Sequence, residues 1–264
     1  MKFKVIALLV LLIFLGLSVY FFYSKGLPSQ KTAFSETEKS IKGIVLPHHN
    51  LAGQLTSQAL EKLSKNQTYE TIVILSPNHF HPDSPLLTTS EEIKGYSIDE
   101  RLVKQMTEKI PTVRIDKAVI EKEHGLTNVL AYLENYFPGA KFLPLAVSPH
   151  YTPEEIEQIT SFLAEKLPLQ TLFVASLDFS HEEMLLTALE KNKETIEVIK
   201  NFDYQTLYRF KDDHLDSPLA VVIFLRVIEK LSGGNWETWD NTHGSVLIDD
   251  PTLQGTSYVI GIFR

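Results

Sequence analysis

Beyond residue 40 the chain alternates short apolar runs with longer stretches whose apolar residues recur at helical spacing. Ile41–Leu46, Thr71–Leu75, Val113–Ile115, Lys141–Val147 and Thr171–Leu177 are short and mainly apolar, Thr71–Leu75 being also rich in β-branched residues, the pattern of buried strands. Leu86–Thr89 is a further, minor strand, and Ser245–Ile248 and Ser257–Phe263 are expected to close the sheet. Leu51, Leu55, Ala59, Leu60 and Leu63 recur as on one helical face. Further helices are expected from Ser97 to about Lys109, Gly125 to Phe137, Thr152 to Leu167, Glu182 to Phe202, Tyr204 to Phe210 and Ser217 to Leu231. Thr152-Pro153-Glu154-Glu155 and Ser217-Pro218 are helix starts, each with a capping residue followed by proline in the first turn. Ser232 to Asn235 reads as a turn, and Asn235 to Trp239 as a loop packed on the domain. Strands that alternate with helices make βαβ units. The expected fold is therefore a three-layer α/β/α domain with a mainly parallel central sheet.

The first residues follow another pattern. Lys2 and Lys4 precede an uncharged run from Val5 to Tyr23. That is about 19 residues, just enough to cross a bilayer as a helix. The run ends in Val19-Tyr20-Phe21-Phe22-Tyr23, which offers no small-residue cleavage site and matches an interfacial aromatic belt. The expectation is an uncleaved single-pass transmembrane anchor over residues 1–23, a polar tether over 24–40 and an α/β domain over 41–264. The amino terminus is expected inside and the domain on the extracytoplasmic side. A cleaved signal peptide is the rival reading.

The composition narrows the chemistry. The 264 residues are 44% hydrophobic, as in a globular protein. A net charge of −8 argues against a nucleic-acid partner. There is no cysteine, so any metal must be held by His, Asp or Glu. No dinucleotide or P-loop glycine motif and no nucleophile elbow is present.

Nine histidines remain, several of them where apolar runs stop. Pro47-His48 and Pro77-Asn78-His79 each follow a strand directly, and parallel strands deliver their carboxyl ends to one crevice. Neutral imidazole is a common ligand for Zn, Fe, Cu and Ni. The plainer alternative is two polar loops with incidental histidines. Glu123-His124 precedes a helix, where Glu123 serves equally as a cap or as support for a ligand. Asp178-Phe179-Ser180-His181 ends a strand; Asp178 can fix a histidine tautomer, or merely cap the helix expected from Glu182. In Asp212-Asp213-His214-Leu215-Asp216-Ser217-Pro218, His214 and Asp216 are free to project.

Together these pieces, with Phe142–Val147 and Ser257-Tyr258-Val259-Ile260-Gly261, resemble the Memo family, protein B of the AmmeMemoRadiSam system. That family is similar in fold to LigB-type class III extradiol dioxygenases. The resemblance runs from about Ile41 to the end. It implies a divalent metal ion (Fe, Cu or Zn) on His48 and His79, with His181 as acid/base, Asp178 beside it, and Glu123 and His124 nearby. The family's third ligand is commonly a cysteine; His214 stands there, with Asp216 as the alternative. The family's glycine after the first histidine is replaced by His49-Asn50. The implied function is a membrane-tethered metalloprotein with redox or dioxygenase-like oxidoreductase chemistry on a small substrate. The alternatives are a non-catalytic scaffold that binds a small-molecule or peptide ligand, and a metal-dependent hydrolase.

Overall fold

A computed structural model describes residues 40–231 and 234–264. The expected anchor over residues 1–23, nearly all of the tether and the Ser232-Gly233 part of the expected turn lie outside them. Among the described residues no helix is long and apolar enough to cross a membrane.

The sheet has eight strands: β1 (Gly43–Leu46), β2 (Thr71–Pro77), β3 (Leu87–Thr89), β4 (Val113–Ile115), β5 (Lys141–Val147), β6 (Thr171–Ser176), β7 (Trp236–His243) and β8 (Ser257–Phe263). Their order is β4-β3-β5-β2-β6-β1-β8-β7. The central strands β5, β2, β6 and β1 are parallel to one another. β3 runs antiparallel to β5, and β8 antiparallel to both β1 and β7. Every residue of β1, β2 and β6 is buried, as expected for parallel strands covered on both faces.

Alternation along these strands divides the core. Ile44, Leu46, Ile72, Ile74, Leu172 and Val174 pack on one face with α1 (Gly53–Ser64) and α4 (His124–Tyr136). Val45, Val73, Leu75, Phe173 and Ala175 pack on the other with α2 (Glu100–Lys109), α5 (Pro153–Lys166), α6 (Leu185–Lys200) and α8 (Pro218–Lys230). Two apolar faces, each roofed by helices, make the three layers. The short α3 (Lys117–Lys122), α7 (Tyr204–Leu207) and α9 (Gly244–Leu247) complete the described helices, apart from a 3-10 turn at Asn50–Ala52.

Several expectations about elements change. Ser245–Ile248 is not a strand: Gly244–Leu247 forms α9, and the His243 ring accepts the Ser245 N–H at its start. The place beside β8 is taken by Trp236–His243, whose first residues had the composition of a loop. The register shift at Thr238 and Asp240 interrupts its alternation and hid it from the sequence. Lys117–Lys122 is an unexpected helix, capped by the Asp116 side chain. The helix expected from Glu182 begins at Leu185. Glu182 adopts φ 56°, outside the right-handed region, and Glu183 pairs with Gly255. The Asp178 side chain therefore caps no helix here.

Candidate metal centre

Three neighbouring parallel strands, β2, β6 and β1, end at the same edge. Leu46 pairs with Ser176, and Leu75 with Ala175, so their ends are level. His48 leaves β1, His79 leaves β2 and Asp178 leaves β6 just beyond. His48 is buried, 4% exposed. Its backbone N–H donates to Asp178 Oδ1 at 3.2 Å, and its carbonyl accepts from Asn128 Nδ2 at 3.0 Å. Ser176 Oγ lies 3.4 Å from its Nδ1. Nε2 faces Asp216 Oδ2 at 3.4 Å and Asp178 Oδ2 at 3.6 Å.

The start of α4 supplies the opposite side. Glu123 caps the helix by accepting from Gly125 N–H at 2.9 Å, so the cap reading holds. It does more: Oε1 lies 2.7 Å from His79 Nδ1, and Oε2 accepts the His79 backbone N–H at 2.8 Å. A carboxylate on Nδ1 fixes the ring and leaves the Nε2 lone pair free, the arrangement that supports metal-bound histidines. His124, the first helical residue, stacks on His79 with ring centroids 4.3 Å apart. Both rings stand edge-on to His48, at 5.2 and 5.3 Å. The close approach requires Gly125, where a Cβ would collide with Ser76 Oγ.

Asp216 and His214 part company. Leu215 bridges to Phe179, and Asp216 exchanges two bonds with Asp178: its N–H donates to the Asp178 carbonyl, and its Oδ2 accepts the Asp178 N–H at 3.1 Å. This holds the Asp216 side chain, 7% exposed, beside His48. His214 closes a turn on Lys211 instead. Its ring stacks on Phe210 at 4.3 Å, 3.1 Å from Asp213 and 3.4 Å from Glu194. The structure thus brings Asp216, not His214, to His48. His181 lines a cavity of about 510 Å³ with His79, Glu182, Asp212, Asp213 and Asp216.

Two groups of potential ligands result, His48–His79–His124 and His48–Asp178–Asp216, each with donor atoms within 4.8 Å of one another. Charge and burial fit a cation between them. Burial, with the neighbouring rings of His79 and His124 adding to it against the pull of Asp178, lowers the His48 imidazole to about 4. It is a neutral nitrogen donor at physiological pH. Burial also lowers His124, helped by His79. Burial alone would raise Glu123, but the bonds from His79 and Gly125 outweigh it and hold the carboxylate below its usual range. Burial and the adjacent Asp178 push Asp216 well above the usual carboxylate range. Asp216 Oδ1 is buried without a hydrogen-bond partner. A buried carboxylate oxygen with no donor costs free energy that a cation would recover. Imidazole and carboxylate donors with no thiolate suit a divalent first-row transition metal.

Some contacts were not anticipated. Ser176 and Asn128 position His48, and the Tyr258 hydroxyl lies 2.7 Å from His49 Nδ1. Tyr258 is the second residue of β8, which pairs antiparallel with β1, so this contact between segments far apart in the chain needs the folded sheet.

The family model described as Memo-like protein matches residues 23–250. A MEMO1 family protein of Caldivirga maquilingensis is 23% identical over 71% of this chain and 70% of its own length. One from Methanopyrus kandleri is 27% identical over 62% of each chain. One from Methanosarcina barkeri is 29% identical over 65% of this chain and 68% of its own. Among solved structures, an uncharacterized protein from Escherichia coli K12 superposes with a TM-score of 0.62 at 13% identity. The match covers 85% of this chain and 100% of that one, a likeness of fold.

Proposed function

The chain belongs to the Memo family, and from that premise we propose that it is a metalloprotein whose centre is built on His48, the residue common to both groups of potential ligands, with His79 from one group and Asp216 from the other completing a two-histidine, one-carboxylate set. The observation that carries this reading is the position of His48. Its Nε2 faces two buried carboxylates, its ring meets two further imidazoles, and one oxygen of Asp216 is left without a donor.

When bound, the ion would supply a Lewis-acidic and, for iron or copper, redox-active centre, so the proposed chemistry is dioxygenase-like oxidation of a small substrate. The residues divide the remaining work. Glu123 holds the His79 ring through Nδ1 and leaves Nε2 free to bind. Asp178 fixes the His48 backbone and the Asp216 loop at once. His181, with Nδ1 buried and unpartnered in the wall of the cavity, is the group proposed to move protons to and from substrate. The cavity of about 510 Å³ is of a size to admit a small molecule.

The uncharged run Val5–Tyr23 supports a further proposal, that the protein is held at a membrane. Carbonate extraction of membranes tests it: the chain should stay in the pellet, and release into the wash would refute it.

The catalytic proposal is tested by loading the full chain with Fe²⁺ or Zn²⁺. Each form is screened against catechols under oxygen and against esters, amides and phosphates. Catechol oxidation by the iron form, lost in His48→Ala and His181→Ala, is expected. Hydrolysis by the zinc form alone would replace this reading with a hydrolase.

A further inference from the structure

His124 is the one imidazole of the cluster with no task in the reading above. It stands on the first residue of α4, directly after the carboxylate that orients His79. It is the least constrained of the three: its side chain is 45% exposed, and its Nδ1 lies 3.7 Å from Glu123 Oε1, beyond hydrogen-bond reach. Its donor atom nevertheless falls within 4.8 Å of those of both His48 and His79. Nitrogen ligands at about 2.0–2.1 Å from an ion stand roughly 3–4 Å apart, so small ring rotations close this group.

We propose that His124 is a metal ligand in its own right, so that His48, His79 and His124 present a three-imidazole face to the ion. The inference deepens the preceding reading and rests on it. It assigns distinct roles to two adjacent residues. Glu123 supports a ligand from behind, and His124 is itself a ligand, because the start of α4 turns consecutive side chains to different positions. Its consequence is selectivity. Two imidazoles and one carboxylate suit Fe(II), whereas a third nitrogen strengthens Zn(II) and Cu(II).

The plainer role for His124 is packing, since it stacks on His79 and meets Phe80 edge-on at 5.8 Å. The test therefore uses His124→Phe, which keeps a stacking ring but removes both nitrogens. His124→Asn serves as a second variant on this half-exposed position. Zn²⁺ affinity of the full chain is measured against a competing chelator, and Cu²⁺-loaded protein is examined by electron paramagnetic resonance. Wild type should show hyperfine coupling to three nitrogens, and His124→Phe to two, with Zn²⁺ affinity reduced about tenfold or more. Unchanged coupling and affinity in both variants would overturn the inference. His48→Ala separates the two levels of the argument. If wild type binds Zn²⁺, His48→Ala does not, and the His124 variants behave as wild type, only the role of His124 fails. If wild type takes up no metal, or His48→Ala keeps it, the proposed centre fails and this inference with it.

Discussion

Asp216 Oδ1 is a buried acceptor to which none of the described residues donates. In the metal-free state its carboxylate is raised well above the usual range, first by burial and then by Asp178. Removing the charge should therefore help the empty protein. Asp216→Asn is expected to raise the metal-free Tm at neutral pH by roughly 2–6 °C, on the order of 1–2 kcal/mol. The same change should cut Zn²⁺ affinity, so calorimetry with and without metal will show opposite effects. A variant that lost stability in both states would contradict this. His48 carries the reverse sign. Its folded imidazole sits at about 4, below the ordinary 6.5, so the unfolded chain takes up the proton first as pH falls. Its contribution is intact above 6.5, is lost as pH falls from 6.5 towards 4, and does not fall further below that. The loss is on the order of 3 kcal/mol. Asp216 opposes it in part of the same window, so the comparison with His48→Gln isolates it: the variant should show a shallower decline of Tm over this range in metal-free buffer. At this scale the sequence revealed much. His48, His79, Glu123, His124 and Asp178 stood at the ends of apolar runs or the start of a helix, where chemistry is usually delivered. The choice of Asp216 over His214 was not legible, because it depends on the Leu215–Phe179 bridge between segments far apart in the chain.

The decisive element is the first turn of α4. One carboxylate caps the helix, binds the backbone of His79 and orients its ring. Glu123→Gln keeps an acceptor for the cap but weakens the hold on the imidazole. It should lower metal affinity about 10- to 100-fold with only a small change in helix content by circular dichroism. Gly125 allows this turn to lie against Ser76, and Gly125→Ala should destabilise the fold by about 1–3 kcal/mol in urea titrations and weaken metal binding with it. An unchanged midpoint would show that the helix can shift without cost. The central strands and long helices were readable because their apolar periods are unbroken. β7 and α9 were not. The register shift in β7 breaks its pattern, and Val246, Leu247 and Ile248 are exposed although their residue types favour a buried strand. The Met184 start of α6 carries no side-chain cap to announce it.

Across the whole molecule, the proposed ligands come from segments tied together only by the folded sheet. β1 brings His48, β2 brings His79, and the loop before α8 brings Asp216, held there by Asp178 beyond β6. Metal binding and folding must therefore be linked. At a free Zn²⁺ concentration about 100 times Kd, the fold should gain about 2.7 kcal/mol. For a domain of this size that is a rise in Tm of about 5–10 °C. His48→Ala should abolish the rise, and an equal rise in the variant would mean that Zn²⁺ acts elsewhere. The most direct measurement is anomalous diffraction from crystals of the protein soaked in Zn²⁺. The account predicts one strong peak about 2.0–2.1 Å from ring nitrogens of His48 and His79, with a carboxylate oxygen of Asp216 at about 2.0–2.2 Å. A well-occupied ion found only away from His48, with the three side chains still free around one another, would contradict it.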